Sequence, residues 1–222
     1  MQFKFMEIIT QFFKNGGVVM YPLLGLSILS LAMILERSLF WSQVSRQQEK
    51  IIKTALALYK EDTESAEILL KRNLQLPIAR IFLVALSVKR STPQKFKLAL
   101  ESAAQAEIPV LKRFSNAFET IISISPLLGL LGTVLGLITS LASLRIGDIG
   151  SSEASGVTSG IGEALTSTAA GLVIAIFTLF FASMFRGLYL QQLALMQEVG
   201  AQLELIHLEK YEQQGETYDA LT

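Results

Sequence analysis

The chain has 222 residues, 51% of them hydrophobic and only 17% charged, where soluble domains carry roughly 25% charged residues. With 19 basic residues against 19 acidic ones, no cysteine and a single histidine, His207, it has nothing to build a disulfide framework or a Cys/His zinc, haem or iron–sulfur centre, and no cofactor is expected. The basic residues are not interleaved with aromatics, so nucleic-acid binding has no footing either. Three stretches lack Asp, Glu, Lys, Arg and His altogether: residues 15–35, 120–144 and 164–185. Each supplies the about 20 helical residues that cross the hydrocarbon core of a bilayer. The composition is that of an all-α, polytopic membrane protein.

In chain order, residues 1–17 place Phe5, Ile9, Phe12 and Phe13 roughly on one helical face, a pattern shared by an outer surface helix and by a loose terminus. The first span is expected over 18–40. Lys4 and Lys14 precede it as in a signal peptide, but its apolar run is long and meets Glu36-Arg37 instead of a small-residue cleavage site, so it reads as an anchor. Residues 41–118 form a helical cytoplasmic region, with helices predicted from Gln48 to Lys71, from Ile78 to Lys89 and from Gln94 onward. Pro77 and Pro93 sit in first turns. The eight uncharged residues 81–88 are too few to span and predict a buried helix.

The second span is expected over 119–144 and the third over 160–186, both on long helices that extend into the cytoplasm. The Gly- and Ser-containing residues 145–159 form the outer connection between them. A helix then continues over 187–222, with Leu188, Leu195, Val199 and Ile206 on one face. Fourteen of the 19 Lys and Arg lie within 37–113, and Arg186 and Lys210 follow the third span, leaving Lys4, Lys14 and Arg145 for the other side. Positive charge accumulates on cytoplasmic segments, so the N-terminus is expected outside and the C-terminus inside.

The two later spans are patterned beyond simple apolarity. Gly129, Gly132, Thr133, Gly136, Ser140 and Ser143 recur at steps of three and four, a small stripe of the kind that lets helix backbones approach in lipid. The third span has two such faces, one with Gly160, Glu163, Ser167 and Ala170, the other with Ala164, Thr168, Gly171, Ala175, Thr178 and Ala182. Two small faces imply neighbours on two sides. Further copies of the chain would supply them most economically, as a closed ring. Helix packing is the role expected of Gly129, Gly132, Gly136, Ala164, Gly171 and Ala175.

With the outer boundary near Leu144 and Val157, Thr133 and Thr168 both fall about 16 Å deep. Level hydroxyls on antiparallel helices would line a polar path; the alternative is that each bonds back to a carbonyl of its own helix. Glu163 lies about 9 Å deep by the same measure. It is the only ionisable residue between Glu153 and Arg186. Carboxylates in the membrane are costly and mark ion pathways, unless the boundary lies deeper and leaves this one in interfacial water.

At these same residues the chain resembles a known family. Ser125-Pro126-Leu127-Leu128-Gly129-Leu130-Leu131-Gly132-Thr133-Val134-Leu135-Gly136-Leu137-Ile138 and Gly160-Ile161-Gly162-Glu163-Ala164-Leu165-Thr166-Ser167-Thr168-Ala169-Ala170-Gly171-Leu172 are similar to the second- and third-span signatures of the MotA/TolQ/ExbB proton-channel family. Gly16-Gly17, Met20, Pro22-Leu23-Leu24 and Glu36-Arg37 look like its ExbB branch. The resemblance covers essentially the whole chain. One departure is Phe177, where many members have a proline.

The resemblance implies an inner-membrane homo-oligomer, a pentamer of three-span subunits, around a dimer of ExbD-like single-span partners that each carry a membrane Asp. Proton flow would drive the complex and, through a TonB-like protein, transport across the outer membrane. Thr133, Glu163 and Thr168 match the family's polar pore-lining positions. Two other readings stay open: a TolQ-like motor for envelope integrity, and a scaffold that conducts nothing. An enzyme is not expected, because no histidine lies in a span and neither a complete G-x-S-x-G elbow nor a phosphate loop is present.

Overall fold

The computed structural model describes residues 17–88, 92–143 and 151–219. Its six helices are α1 (Met20–Glu61), α2 (Thr63–Lys71), α3 (Pro77–Ser87), α4 (Pro93–Leu111), α5 (Ser115–Ser143) and α6 (Ser151–Asp219). No strand occurs among the described residues. Three helical stretches, carried by α1, α5 and α6, are long and apolar enough to cross a membrane. The outer helix considered for Phe5, Ile9, Phe12 and Phe13 lies outside the described residues, as does Arg145.

Helix boundaries differ from expectation in two places. The first span and the helix predicted from Gln48 are one helix of 42 residues, because no Gly or Pro occurs between Gly25 and Glu61 to end it. It stops at Asp62, whose carboxylate accepts the N–H groups of Glu64 and Ser65 and so caps α2, a strong local stop inside the single helix expected to reach Lys71. At the other end, α6 starts at Ser151, so residues 151–159 are helical where a connection was expected. Gly and Ser cost a helix only up to about 1 kcal/mol each, too little to halt one that has long runs of good formers behind it.

The described chain forms two compact units, Met1–Glu36 with Phe114–Met184 and Arg37–Arg113 with Phe185–Thr222. In the first, α5 and α6 run antiparallel in close contact. The start of α1 packs through Val19, Met20 and Leu23 against Leu128, Ala170 and Ile174. Large apolar side chains point outward, among them Leu127, Leu141, Leu165, Val173, Ile176 and Phe180. That arrangement suits hydrocarbon or a neighbouring helix, not water.

The second unit is built as a water-soluble domain is. Leu70, Leu76, Ile78, Phe82, Phe96 and Leu203 are buried together with most of α3, which accounts for the apolar run at 81–88. Arg80 donates to Glu107 through Nε at 2.7 Å and Nη2 at 2.5 Å, tying α3 to α4; the carboxylate raises the guanidinium's pKa. Arg37 is 1% exposed. Its Nη1 reaches the carbonyls of Val110 at 3.0 Å and Leu111 at 3.3 Å, at the C-terminal end of α4. Carbonyls of a last turn have no partner within their helix, and a cation is the favoured one.

Candidate functional site

The α5–α6 seam of the first unit is set by groups that are missing. A Cβ on Gly129 would stand 2.9 Å from the Cα of Thr168, and one on Gly136 would stand 2.8 Å from the carbonyl oxygen of Gly160 and 2.9 Å from the Cβ of Ala164. One on Gly132 would meet the Cβ of Ser167 at 2.5 Å, and one on Gly171 would run into the carbonyl oxygen of Ser125 and approach the Cα of Gly129 to 3.2 Å. Gly129, Gly132, Gly136, Ala164 and Gly171 therefore lie in one contact, and Ala175 is buried further along α6.

This placement removes a premise. The two small faces of α6 suggested further copies of the chain, yet both are used inside one chain: Gly160 and Ser167 of one and Ala164, Thr168 and Gly171 of the other lie against α5, while Ala170 of the first and Thr178 of the second meet α1. Three spans of a single chain satisfy both faces. A ring draws no support from the small stripes themselves.

The hydroxyls divide differently from the sequence reading. Thr168 Oγ1 donates across the seam to the carbonyl of Gly129 at 2.9 Å, and Ser167 Oγ donates to Ala164 at 2.8 Å with a longer bond to Gly129 at 3.4 Å. Thr133 is half-buried beside Gly132 on α5 and donates to Leu130 of its own helix at 2.6 Å. The two threonines are not level. Thr168 sits opposite Gly129, four residues and about 6 Å along the axis from Thr133. The register is fixed by which glycines meet, not by equal distances from the two outer boundaries.

Glu163 is half-buried, one turn along α6 from Ser167. Its carboxylate lies against Gly17, in the turn ahead of α1. A second hydroxyl pair was not foreseen: Ser30 Oγ and Thr178 Oγ1 are 2.7 Å apart, both buried between α1 and α6. Thr178 also donates to the Ile174 carbonyl at 2.7 Å, which leaves Ser30 as the donor between the two. The available signal was Ser30 itself, a hydroxyl in an uncharged span where water cannot satisfy it.

Thr168, Ser167 and Glu163 thus lie on α6 beside its helical partners, and Thr133 flanks the seam on α5, bonded within its own helix. Chemically the group offers one carboxyl that can take and release a proton and hydroxyls that can hydrogen-bond water or a partner side chain. Among the described residues no cluster of His, Asp and Glu with metal-binding geometry occurs.

Residues 65–198 match the MotA/TolQ/ExbB proton channel family. The chain is 53% identical over 201 residues to the putative biopolymer transport protein ExbB-like 3 of Synechocystis sp., covering 90% of this chain and 96% of that one. It is 43% identical over 198 residues to ExbB-like 1 of the same organism, covering 89% and 78%. A putative ExbB homolog of Methanothermobacter thermautotrophicus is 27% identical over 173 residues, covering 78% of this chain and 61% of that one.

Proposed function

Because the chain belongs to the MotA/TolQ/ExbB proton channel family, we propose that it is a proton-motive-force-driven subunit of an inner-membrane, ExbB–ExbD-like complex that energises TonB-dependent transport across the outer membrane. The observation that carries this reading is Glu163, a carboxylate held among small residues on an apolar, membrane-length helix. A scaffold has no use for a titratable group there.

One carboxylate and a few hydroxyls do not make a two-sided relay. In this reading the partner supplies the rest: an ExbD-like dimer with a membrane Asp, enclosed by a homopentamer of this chain and coupled to a TonB-like protein. Glu163 and Thr168 border the path on α6, and Thr133 faces it from α5. The N-terminus is periplasmic and the C-terminus cytoplasmic, as the Lys and Arg distribution favours. A unit charge crossing 100 mV releases about 2.3 kcal/mol, enough to bias a conformational step.

Co-expression with the partner genes tests the role of Glu163. A relay fails with both Glu163→Ala and Glu163→Gln, whereas a polar lining tolerates Gln and fails with Ala; growth on an iron chelate that needs energised uptake is the score, with assembly followed in parallel. Normal uptake by Glu163→Ala at normal protein levels removes the reading. Orientation is tested by single cysteines at Ser65 and Ser151, of which only Ser151 should react with an impermeant thiol reagent on intact cells.

A further inference from the structure

The turn that precedes α1 is shaped around Glu163. Gly17 has φ of 69°, in the left-handed region that glycine enters without a Cβ penalty. Its carbonyl accepts the N–H of Met20 at 3.1 Å, which closes the turn onto the helix. A Cβ there would collide with Glu163 Oε1 and stand 2.8 Å from Cδ and 3.2 Å from Cγ. The turn cannot easily retreat, because Val19 and Met20 directly behind it are 5% and 3% exposed. Val19 is wedged towards Gly132: its Cβ lies 3.6 Å from where a Cβ on that glycine would stand.

We propose that Gly17 is a positioning residue for the carboxylate of Glu163. It presents bare backbone against the carboxylate and so sets where on α6 the charge sits. The proposal rests on the reading of Glu163 as part of a proton path. The colliding atoms belong to the free end of a flexible side chain, so a Cβ at residue 17 swings the carboxylate aside and leaves the helix pair standing. A misplacement of order 1 Å can cost a reacting group up to about 100-fold in rate, and uptake in Gly17→Ala is expected to fall roughly tenfold.

The test uses the full chain in membranes with its partners and two variants of the same position. Gly17→Ala and Gly17→Asn both add a Cβ, but Asn tolerates a left-handed backbone and Ala does not. Both are expected to lower uptake, to displace the midpoint of its pH profile and to change several-fold the rate at which an apolar carbodiimide labels Glu163, read from the labelled peptide by mass spectrometry. Neither lowers uptake further in a Glu163→Ala background. Near-normal behaviour of Gly17→Asn would show that backbone strain is the whole effect, and unchanged labelling in both variants would show that the carboxylate never moved; either overturns the proposal. If Gly17→Ala fails to accumulate, Glu163→Ala in the same chain restores its level where the collision is the cause, and failure to restore it also overturns the proposal. The labelling result stands even where Glu163→Ala leaves uptake normal, so the failure of the path and the failure of the positioning role are told apart.

Discussion

The seam between α5 and α6 and the clamp around Arg37 solve the same problem, holding helices together, by opposite means. In the seam the decisive atoms are absent ones, and backbone meets backbone at Gly129, Gly136 and Gly171. At the clamp a long cationic side chain is 1% exposed, its Nη1 bonded to two helix-end carbonyls and its guanidinium carbon 4.1 Å from the centre of the Phe40 ring. The difference is the one expected of a seam in hydrocarbon and a clamp in water. Hydrocarbon gives apolar side chains no reason to leave it, so only closer packing and hydrogen bonds favour helix association there. In water, removal of apolar area drives association and large side chains are the useful ones.

The largest effect should come from filling the seam. Gly171→Leu forces a side chain into the carbonyl of Ser125 and the Cα of Gly129, backbone atoms that cannot swing away, and overpacking of this kind costs about 1–3 kcal/mol or more. The variant is expected to accumulate poorly and to lose its compact form in detergent, as followed by size-exclusion chromatography across a temperature series. A normal profile would mean that α5 and α6 are not locked through this contact.

Next is the clamp. Arg37→Met keeps the length and apolar stem but leaves the Val110 and Leu111 carbonyls without this donor, and losing hydrogen bonds to a charged group costs about 1.5–3 kcal/mol. Unlike the glycine variant, it should loosen the second unit first. Faster hydrogen exchange at the end of α4, with the α5–α6 seam still protected, is the expected signature.

A smaller effect, confined to alkaline conditions, belongs to the ring cluster of the second unit. Tyr59 donates to His207 Nδ1, or accepts from it, at 2.7 Å, and the His207 ring stacks on Phe96 at 4.0 Å. Burial pushes the Tyr59 hydroxyl from its ordinary value of 10.0 up to about 12. In the unfolded chain the phenol ionises near pH 10, while the folded chain keeps its proton. Stability contributed by neutral Tyr59 is therefore complete below pH 10 and lost as the pH rises towards 12. Tyr59→Phe should flatten the decline in unfolding temperature over that window while lowering the plateau at neutral pH.

What the sequence made legible follows the same division. Spans are legible because a single charge is expensive in lipid, so uncharged runs of 21 to 25 residues have few other uses. The small stripes were legible too, because steps of three and four have one meaning on a helix. Their partners were not, since a glycine records that something comes close without recording what. The register was hidden for the same reason, and with it the offset between Thr133 and Thr168. In the second unit, nothing in the local pattern distinguishes Arg37, which caps a helix 73 residues away, from a cation in solvent, and the lone His207 on a polar helix carries no sign of the Phe96 ring it stacks on.

The smallest change expected in a single chain gives the sharpest view of what lies outside it. Gly25 on α1 and Gly162 on α6 differ from the seam glycines in that a Cβ on either would meet nothing within 4 Å. Alanine in a helix interior is favoured over glycine by about 1 kcal/mol, so Gly25→Ala and Gly162→Ala should leave the isolated chain unchanged or slightly steadier. Open space in one chain is where a second chain can come near. If a neighbouring copy or a partner helix approaches at Gly162, the added methyl disturbs assembly while the fold of the subunit is untouched, and native mass spectrometry of the solubilised complex separates the two. Loss of higher oligomers with Gly162→Ala but not with Gly25→Ala would place an inter-chain contact beside Glu163. Full assembly of both would leave the seam inside each chain as the only glycine-dependent packing among these positions.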